Sequence, residues 1–502
     1  MTGKSGKRGM KMGILKIGLY EQDITPNGKV FIPGQFYKRV TDKVESRLKV
    51  EIFVCEKDEE QLIIASADLT GVTKELLEEV RKRVTGKDNT VDVNKIILSA
   101  THTHTAFGYV NNSLYTGISK FFPNDYKYIS LEEDEEYLPF DECFDFLSES
   151  IANGIAEAWR RRDEAYIGEE FGRAVVGHSR RVVYSDGTAK MYGIADKATF
   201  AELESGNDSG IELLYVFDKS KKPIGVLANV SCPSQVLEHK TFMSADYWGK
   251  VRDFTKEKFG DDFVVVGLCG AAGCQSPRDM IRFVLPDTND PNLIRDNPQK
   301  QRRTDPDMYD IDGAIEIGHR IADVINRKVD GAAERIHNDA VFLHDVIDCK
   351  LPLRRVTETD VNNAREGIKR YIERLPDKTF NDYDAAAVHI YSGIISRYEL
   401  QDKRELVDTE IHIARIGDVA FASNPFELFL DYGNKIRARS VARQTFLIQL
   451  ACDTNGYLPT EKAEKGSHYS AYVASGNVGH IGGQLLVDTT LETIKKQFSE
   501  DK

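Results

Sequence analysis

Two histidines separated by one threonine are the residues in this sequence whose spacing points most clearly to chemistry. His102 and His104 follow residues 95–100, a short apolar run rich in branched side chains that predicts a buried strand. Side chains two apart in an extended segment point the same way, so both imidazoles can face one pocket. Imidazole binds metal ions and carries protons near neutral pH. The alternative is one surface histidine and one buried structural histidine, but the flanking hydroxyl groups and the strand exit favour a functional site.

Three other apolar segments also end in polar or glycine-rich loops. These loops cover residues 232–246, 270–279 and 455–457. Functional residues of sheet proteins gather where strands end, because the scaffold holds those loops in place. The sequence therefore predicts a site that is assembled from four strand ends.

The elements that position these loops alternate between strands and helices. We predict strands at 47–56, 61–69, 95–100 and 263–269, and helices at 75–84, 140–161 and 427–439. Such an order is typical of a mixed α/β (α+β) architecture with flanking helices. We expect one large domain over residues 14–502, preceded by a flexible basic leader at residues 1–13. Residues 120–138 are interpreted as a long loop that caps the site.

The composition is that of an ordinary globular protein. Hydrophobic residues make up 41% of the 502 residues and charged residues 29%, and the net charge of −13 argues against a nucleic-acid surface. No apolar run approaches the roughly 18 to 20 residues of a membrane helix, so we expect no stable membrane insertion. The expected partner is a small-molecule substrate, and a homo-oligomer is left open. Seven scattered cysteines predict reduced, mostly buried thiols and a cytoplasmic location, unless a signal segment has been removed.

The order of several short motifs resembles the N-terminal catalytic domain of the neutral/alkaline ceramidase family. The similarity extends from about Gly18 to Gly476, and it rests on DITP, SADL, SATHTHT, an arginine pair, SADYWG, GAAGCQSPRD, NPF and GYLPT. The THTH segment within that order is the most specific part. The resemblance implies a ceramidase-like α/β domain and a zinc-dependent amidase that cleaves an N-acyl bond. Only about 26 residues follow Gly476, so we expect the C-terminal β-sandwich of full-length ceramidases to be missing.

The resemblance assigns four residues directly. His102 matches the first zinc histidine of the family, and His104 matches a histidine that faces the scissile amide. Tyr457 matches a tyrosine beside the metal, and Ser276 matches a serine beside the substrate. These residues are the expected core of the site.

Two zinc ligands of the family have no direct counterpart. The second zinc histidine falls on Cys232, 14 residues before Asp246, with His239 in the same loop as the alternative. The zinc glutamate falls on Asn424, and Glu427 is the nearest carboxylate. A cysteine thiolate binds zinc well, whereas a neutral amide is a poor ligand. We therefore expect either weakened metal binding or a site rearranged around His239 or Glu427.

The resulting prediction is a zinc-dependent hydrolase of a linear amide bond in a soluble substrate such as an N-acylated amine or a carbohydrate. Zinc would lower the pKa of its bound water to about 7 and polarise the carbonyl group. His104 or Tyr457 would stabilise the developing oxyanion, and His104 would protonate the leaving amine. Arg181 and Asp246 are candidate substrate-binding residues. For the pair Arg180 and Arg181, however, a solvated strand surface is the favoured interpretation. Asp246 could instead order its loop or cap a helix.

Two other functions compete with this one. A non-catalytic relative that binds a small molecule or carbohydrate is favoured by Cys232 and Asn424. A metal-free hydrolase with Ser276 as the nucleophile ranks last, because the sequence lacks the strained elbow on which such serines usually lie.

Overall fold

The structure is a computed structural model, and it describes residues 13–111, 119–129, 136–281 and 309–499. The leader predicted at residues 1–13 lies outside these ranges except for Gly13. Residues 130–135 of the predicted capping loop also lie outside them.

An eight-stranded mixed sheet forms the centre of the described chain. Its strands are β1 (Lys16–Asp23), β2 (Lys49–Lys57), β3 (Glu60–Ala67), β4 (Ile96–Ala100), β5 (Asp163–Arg173), β6 (Gly210–Asp218), β7 (Pro223–Val230) and β8 (Val264–Cys269). In space they follow the order β8-β7-β6-β5-β1-β2-β3-β4. The pairs β3–β4 and β7–β8 are parallel and the other pairs are antiparallel. The loops after β7 and β8 therefore start side by side, at the same edge of the sheet.

A second sheet of four strands packs against the first. Its strands are β9 (Phe342–Pro352), β10 (Leu406–Ile416), β11 (Val419–Ser423) and β12 (Gln444–Ile448), in that order, and only β11 and β12 are parallel. Ile63 and Val266 of the first sheet share one hydrophobic cluster with Phe421 and Phe446 of the second. Burial of this apolar surface holds the two sheets together.

Helices cover both sheets. They are α1 (Lys74–Lys87), α2 (Phe140–Arg161), α3 (Asp246–Phe259), α4 (Ile311–Ala333), α5 (Glu358–Ile372), α6 (Asp382–Leu400), α7 (Leu430–Arg439), α8 (Glu461–Gly466) and α9 (His480–Ser499). Helix α2 packs on β1 and β2, α4 packs on β5, and α9 packs on β9 and β10. Shorter strands are Val30–Phe31, Val40–Thr41, Lys127–Tyr128, His178–Ser179, Arg181–Tyr184, Ala189–Met191, Phe200–Leu203, Gln275–Ser276, Thr379–Phe380, Glu427–Leu428 and Tyr457–Leu458. Among the described residues, no helix combines the length and the apolar character that a membrane span requires.

The predicted mixed α/β class is confirmed, and the helix predicted at 140–161 has the observed bounds. The helix predicted at 427–439 is wrong at its start. Residues Glu427–Leu428 form a short strand that pairs in parallel with Tyr457–Leu458, and α7 begins only at Leu430. Phe426, Leu428 and Phe429 are all buried, so this segment has no polar face of the kind that a surface helix keeps. All seven cysteines are buried and free.

Candidate functional site

His102 lies in the loop directly after β4, in an unusual backbone conformation. Its φ is +66°, in the left-handed region that non-glycine residues seldom adopt. The Nδ1 atom bonds to the carbonyl oxygen of Thr70, and the side chain is almost fully buried. Strained residues of this kind persist where the surrounding structure fixes them, and they cluster at functional sites.

Glu427 faces His102 across the site. One carboxylate oxygen, Oε2, lies 3.3 Å from Nε2 of His102. The parallel pairing of the two short strands places Glu427 opposite Tyr457, whose hydroxyl also bonds to the carboxylate. Burial opposes ionisation of Glu427, but the charges of His102 and Arg180 outweigh it and lower its pKa. Glu427 is therefore an ionised carboxylate at neutral pH.

His104 lies beside His102 and is held by Gln235. The two Nε2 atoms of the histidines are 3.5 Å apart, and the rings are nearly perpendicular. Arg180 donates to Oε1 of Gln235 at 3.2 Å, which turns the amide nitrogen of Gln235 towards His104 Nε2, 2.7 Å away. Burial, reinforced by the nearby His102, lowers the pKa of His104 well below its usual value. The His104 ring is therefore neutral.

These contacts leave several acceptor atoms facing one another. The carbonyl of Thr70 can only accept, so His102 donates from Nδ1 and a neutral ring keeps its lone pair on Nε2. That lone pair faces the Glu427 carboxylate and the Nε2 atom of His104, which itself accepts from Gln235. Such an arrangement is repulsive unless a proton on His102 Nε2 or a metal ion lies among the acceptors. A set of imidazole nitrogen, carboxylate oxygen and the Tyr457 phenol oxygen is chemically suited to zinc.

Ser276 joins the same group of residues through Tyr192. The short strand Gln275–Ser276 pairs with His178–Ser179, and the hydroxyl of Tyr192 donates to Ser276 Oγ at 3.1 Å. Tyr192 in turn contacts Arg180. Arg180 is almost fully buried and reaches the Tyr457 hydroxyl at 3.3 Å. The structure therefore brings together four residues that the sequence predicts for the site: His102, His104, Ser276 and Tyr457.

The three other predicted metal ligands lie elsewhere. Cys232 is buried, its thiol pKa is raised well above normal by burial, and its Sγ atom lies 3.5 Å from the carbonyl oxygen of Pro233. Within the described ranges, Cys232 does not complete a group of three metal-binding side chains with His102 and Glu427 within 4.8 Å. His239 is exposed and packs near the ring of Tyr309. Asn424 accepts from the backbone N–H of Phe426, as a turn residue does. The side-chain oxygen that faces His102 thus comes from the Glu427 carboxylate and not from the Asn424 amide.

The two predicted substrate-binding residues bond to protein groups. Arg181 is fully buried and pairs with Glu204 and with carbonyl groups of the loop 463–469. The solvated strand surface that we considered for Arg180 and Arg181 is therefore wrong. Asp246 accepts from the backbone N–H groups of Leu237 and Tyr247, and burial raises its pKa to about 6. Both side chains order loops around the site.

Sequence reasoning missed the parts played by Gln235, Tyr192 and Arg180. Gln235 lies three residues after Cys232, in a loop that was singled out, but its amide orientation depends on the distant Arg180. Tyr192 lies in a segment without a strand-end signal. Only the three-dimensional pairing of distant segments brings these side chains to His104 and Ser276.

Gly34 gives a direct test of how tightly His104 is held. Its φ is +95°, and a Cβ atom at this position would lie 2.8 Å from Cγ and Nδ1 of the His104 ring. Gly187 has a similar φ of +82° but no atom within 4 Å of such a Cβ. Both Gly→Ala variants should lose about 1–2 kcal/mol for the left-handed backbone. Gly34→Ala should lose about 1–3 kcal/mol more through overpacking against His104. Urea unfolding of both variants measures the difference, and equal losses would show that the His104 ring moves freely.

Comparison of the whole chain with solved structures identifies its fold. The chain is similar to a crystal structure of neutral ceramidase from Pseudomonas aeruginosa, with a TM-score of 0.63 and 16% sequence identity, over 96% of this chain and 75% of that one. It is also similar to a structure of ceramidase complexed with C2, with a TM-score of 0.62 and 15% identity, over 96% and 76% of the two chains. No protein-family model and no curated protein matches the sequence. The chain therefore has a ceramidase-like α/β fold.

Proposed function

We propose that this protein is a metal-dependent hydrolase that cleaves a linear N-acyl amide bond in a soluble small molecule. The observation that supports it most strongly is the 3.3 Å approach of the ionised Glu427 carboxylate to Nε2 of His102, the ring nitrogen that does not bond to Thr70. The likeness to ceramidase structures adds a fold in which an amide hydrolase is already known. A metal ion would be held by His102 and Glu427, with Tyr457 as the third donor. Bound there, it would polarise the amide carbonyl and make water a better nucleophile at neutral pH.

His104 transfers protons in the proposed reaction. Its ring is neutral at neutral pH, so it can take up a proton during attack and return it to the leaving amine. Gln235 fixes the ring orientation through the bond to Nε2, and Gly34 packs against its other side. Nε2 is the one acceptor of the neutral ring, so His104 acts as the general base when the attacking water takes the place of the Gln235 amide there.

Tyr457 and Arg180 stabilise the oxyanion that forms in the proposed reaction. Burial, with the nearby Glu427 charge, raises the pKa of Tyr457 well above its usual value, so the phenol keeps its proton. It can donate that proton to the oxyanion in place of Glu427 when the carboxylate binds the metal. Arg180 lies 3.3 Å from that hydroxyl, and its positive charge strengthens the electrostatic field around it. Ser276 and Tyr192, joined by their own hydrogen bond, position the substrate on the other side of Arg180.

The metal content of the protein tests this proposal. Protein purified without chelator should carry about one zinc ion more per chain than His102→Ala, measured by elemental analysis. His239→Ala is the matched control, because it removes an exposed histidine of the neighbouring loop and should leave the metal content unchanged. A screen of chromogenic N-acyl amines, with and without chelator, then tests for hydrolysis.

Equal metal content in the wild type and His102→Ala, with no uptake when zinc is added, would rule out the metal-dependent mechanism. Binding of an N-acyl amine without turnover would then favour the non-catalytic alternative.

A further inference from the structure

A second group of metal-binding side chains lies away from His102, where the two sheets meet. Among the described residues, Glu410, His412 and Cys452 form the one group of three such side chains whose ligand atoms all lie within 4.8 Å of one another. Cys452 lies close to the first residue of β4, with Sγ 3.9 Å from the carbonyl oxygen of Ile96. His102 follows the other end of that strand. At about 3.3 Å per residue, β4 alone separates the two groups by on the order of 13 Å.

A line of hydrogen bonds runs through this group. His344 Nδ1 bonds to the carbonyl oxygen of Gln61 at 2.8 Å, and His344 Nε2 lies 3.0 Å from His412 Nδ1. His412 Nε2 lies 2.9 Å from Oε1 of Glu410. Arg81 contacts both oxygens of the same carboxylate, at 2.6 and 3.1 Å, which keeps Glu410 ionised. Both histidines are almost fully buried.

These contacts require one more proton, or a metal ion, than the two neutral histidine rings provide. Each of the three contacts needs one hydrogen atom, because a carbonyl, a carboxylate and an imidazole lone pair can only accept. Two neutral imidazoles supply only two hydrogen atoms between them. The series of hydrogen bonds therefore needs either an extra proton or a metal ion beside His412 Nε2. With a metal ion in that place, both rings are neutral and every remaining contact is a normal hydrogen bond.

Three features favour a metal ion over a proton. In the metal-free group the Cys452 thiol is only a weak hydrogen-bond donor to Glu410, whereas its thiolate is a strong ligand for zinc. His412 would donate its Nδ1–H to His344, which is the supporting contact that metal-binding histidines normally make. The Glu410 side chain is 34% exposed, so an ion could enter from the solvent and a water molecule could complete its coordination.

We propose that His412 Nε2, Cys452 Sγ and the Glu410 carboxylate form a second binding site for a borderline-soft divalent cation such as Zn²⁺, separate from the site at His102. The charges balance. With an extra proton on His412, the group of Glu410, Arg81, His412 and Cys452 carries a net charge of +1. When a divalent ion binds, His412 and Cys452 each release one proton and the net charge stays at +1. Because β10 and the segment after β12 supply its ligands and β4 lies beside it, the ion would tie the second sheet to the edge of the first.

Cobalt binding tests this site without reference to any activity. Co²⁺ bound to a thiolate gives an intense sulfur-to-metal charge-transfer absorption, and His102, Glu427 and Tyr457 contain no sulfur. Metal-free His102→Ala protein, titrated with Co²⁺, should still show this absorption with about one ion per chain. The added variant Cys452→Ser should abolish it, while Cys232→Ser, the matched buried-thiol control, should keep it.

Proton release gives a second measure that needs no change at the proposed ligands. Zinc binding to His102→Ala should release at least about one proton per ion near pH 7, from the Cys452 thiol, measured by calorimetry in buffers of different ionisation enthalpy. No charge-transfer absorption in His102→Ala, an absorption that survives Cys452→Ser, or proton release near zero would each overturn the second site. Loss of the absorption in Cys232→Ser alone would overturn it as well and assign the thiolate ligand to Cys232. Because the test uses the His102→Ala background, its result does not depend on the proposed hydrolase.

Discussion

Glu427→Gln is expected to weaken metal binding at the His102 site by at least about 100-fold. Even an outer-shell partner of a metal ligand is worth about 10- to 100-fold in affinity, so loss of the carboxylate ligand itself should cost no less. Glutamine keeps the shape of the side chain but removes the negative charge that lies 3.3 Å from His102 Nε2. Calorimetric zinc titration in a Cys452→Ser background measures this site alone.

Asn424→Asp is the matched variant for the other assignment, in which residue 424 supplies the acidic metal ligand. It introduces a carboxylate at the position that sequence comparison favours, and it keeps an oxygen that can accept from Phe426. Because the side chain at 424 bonds to the backbone of Phe426 and not to His102, zinc affinity should stay within about twofold of the wild type, a change of less than about 0.5 kcal/mol. If instead Asn424→Asp strengthens binding and Glu427→Gln has no effect, the carboxylate ligand has been assigned to the wrong residue.

The sequence predicts the elements of this fold better than it predicts the pairing between them. The strand 95–100 is a branched apolar run and the helix 140–161 a long amphipathic segment, and both are found close to their predicted bounds. The helix predicted at 427–439 begins only at Leu430, because the short apolar run 428–430 at its start does not distinguish a helix from a buried strand. The position of Glu427 opposite Tyr457 depends on a parallel pairing between segments 30 residues apart, which no local pattern records.

The candidate site shows the same contrast between what local sequence patterns predict and what depends on the three-dimensional fold. His102, His104, Ser276 and Tyr457 were predicted from motifs and from a family resemblance, and the structure brings them together. The proposed ligand Cys232 follows from counting residues, and counting does not show where a side chain points. The conformation of the loop after β7 turns Cys232 into the core and Gln235 towards His104. The loop therefore does contribute a side chain to the site, but that side chain is Gln235 and not Cys232.

Arg252→Leu is expected to cause the largest loss of stability of any single substitution considered, about 3–5 kcal/mol. Arg252 lies on α3 and pairs with Glu51 of β2 and with Asp68, to which it donates at 2.6 Å. All three side chains are buried, so leucine would leave two carboxylates without a positive partner in the protein interior. Such a loss is a large share of the about 5–15 kcal/mol by which a typical domain is stable.

The pH dependence of the Arg252→Leu loss separates this electrostatic cause from simple loss of packing. Without Arg252, the folded-state pKa values of Glu51 and Asp68 rise, and burial already raises that of Asp68. A raised acid pKa means that the folded variant binds extra protons as the pH falls, so its stability relative to the wild type recovers. The difference in unfolding free energy, measured by urea denaturation, should therefore be smaller at pH 5 than at pH 8.

Arg335→Leu, which breaks the surface pair with Glu170, should cost at most about 1 kcal/mol at both pH values. A loss for Arg252→Leu that is equal at the two pH values would mean that packing of the arginine stem, and not its charge, stabilises this part of the core.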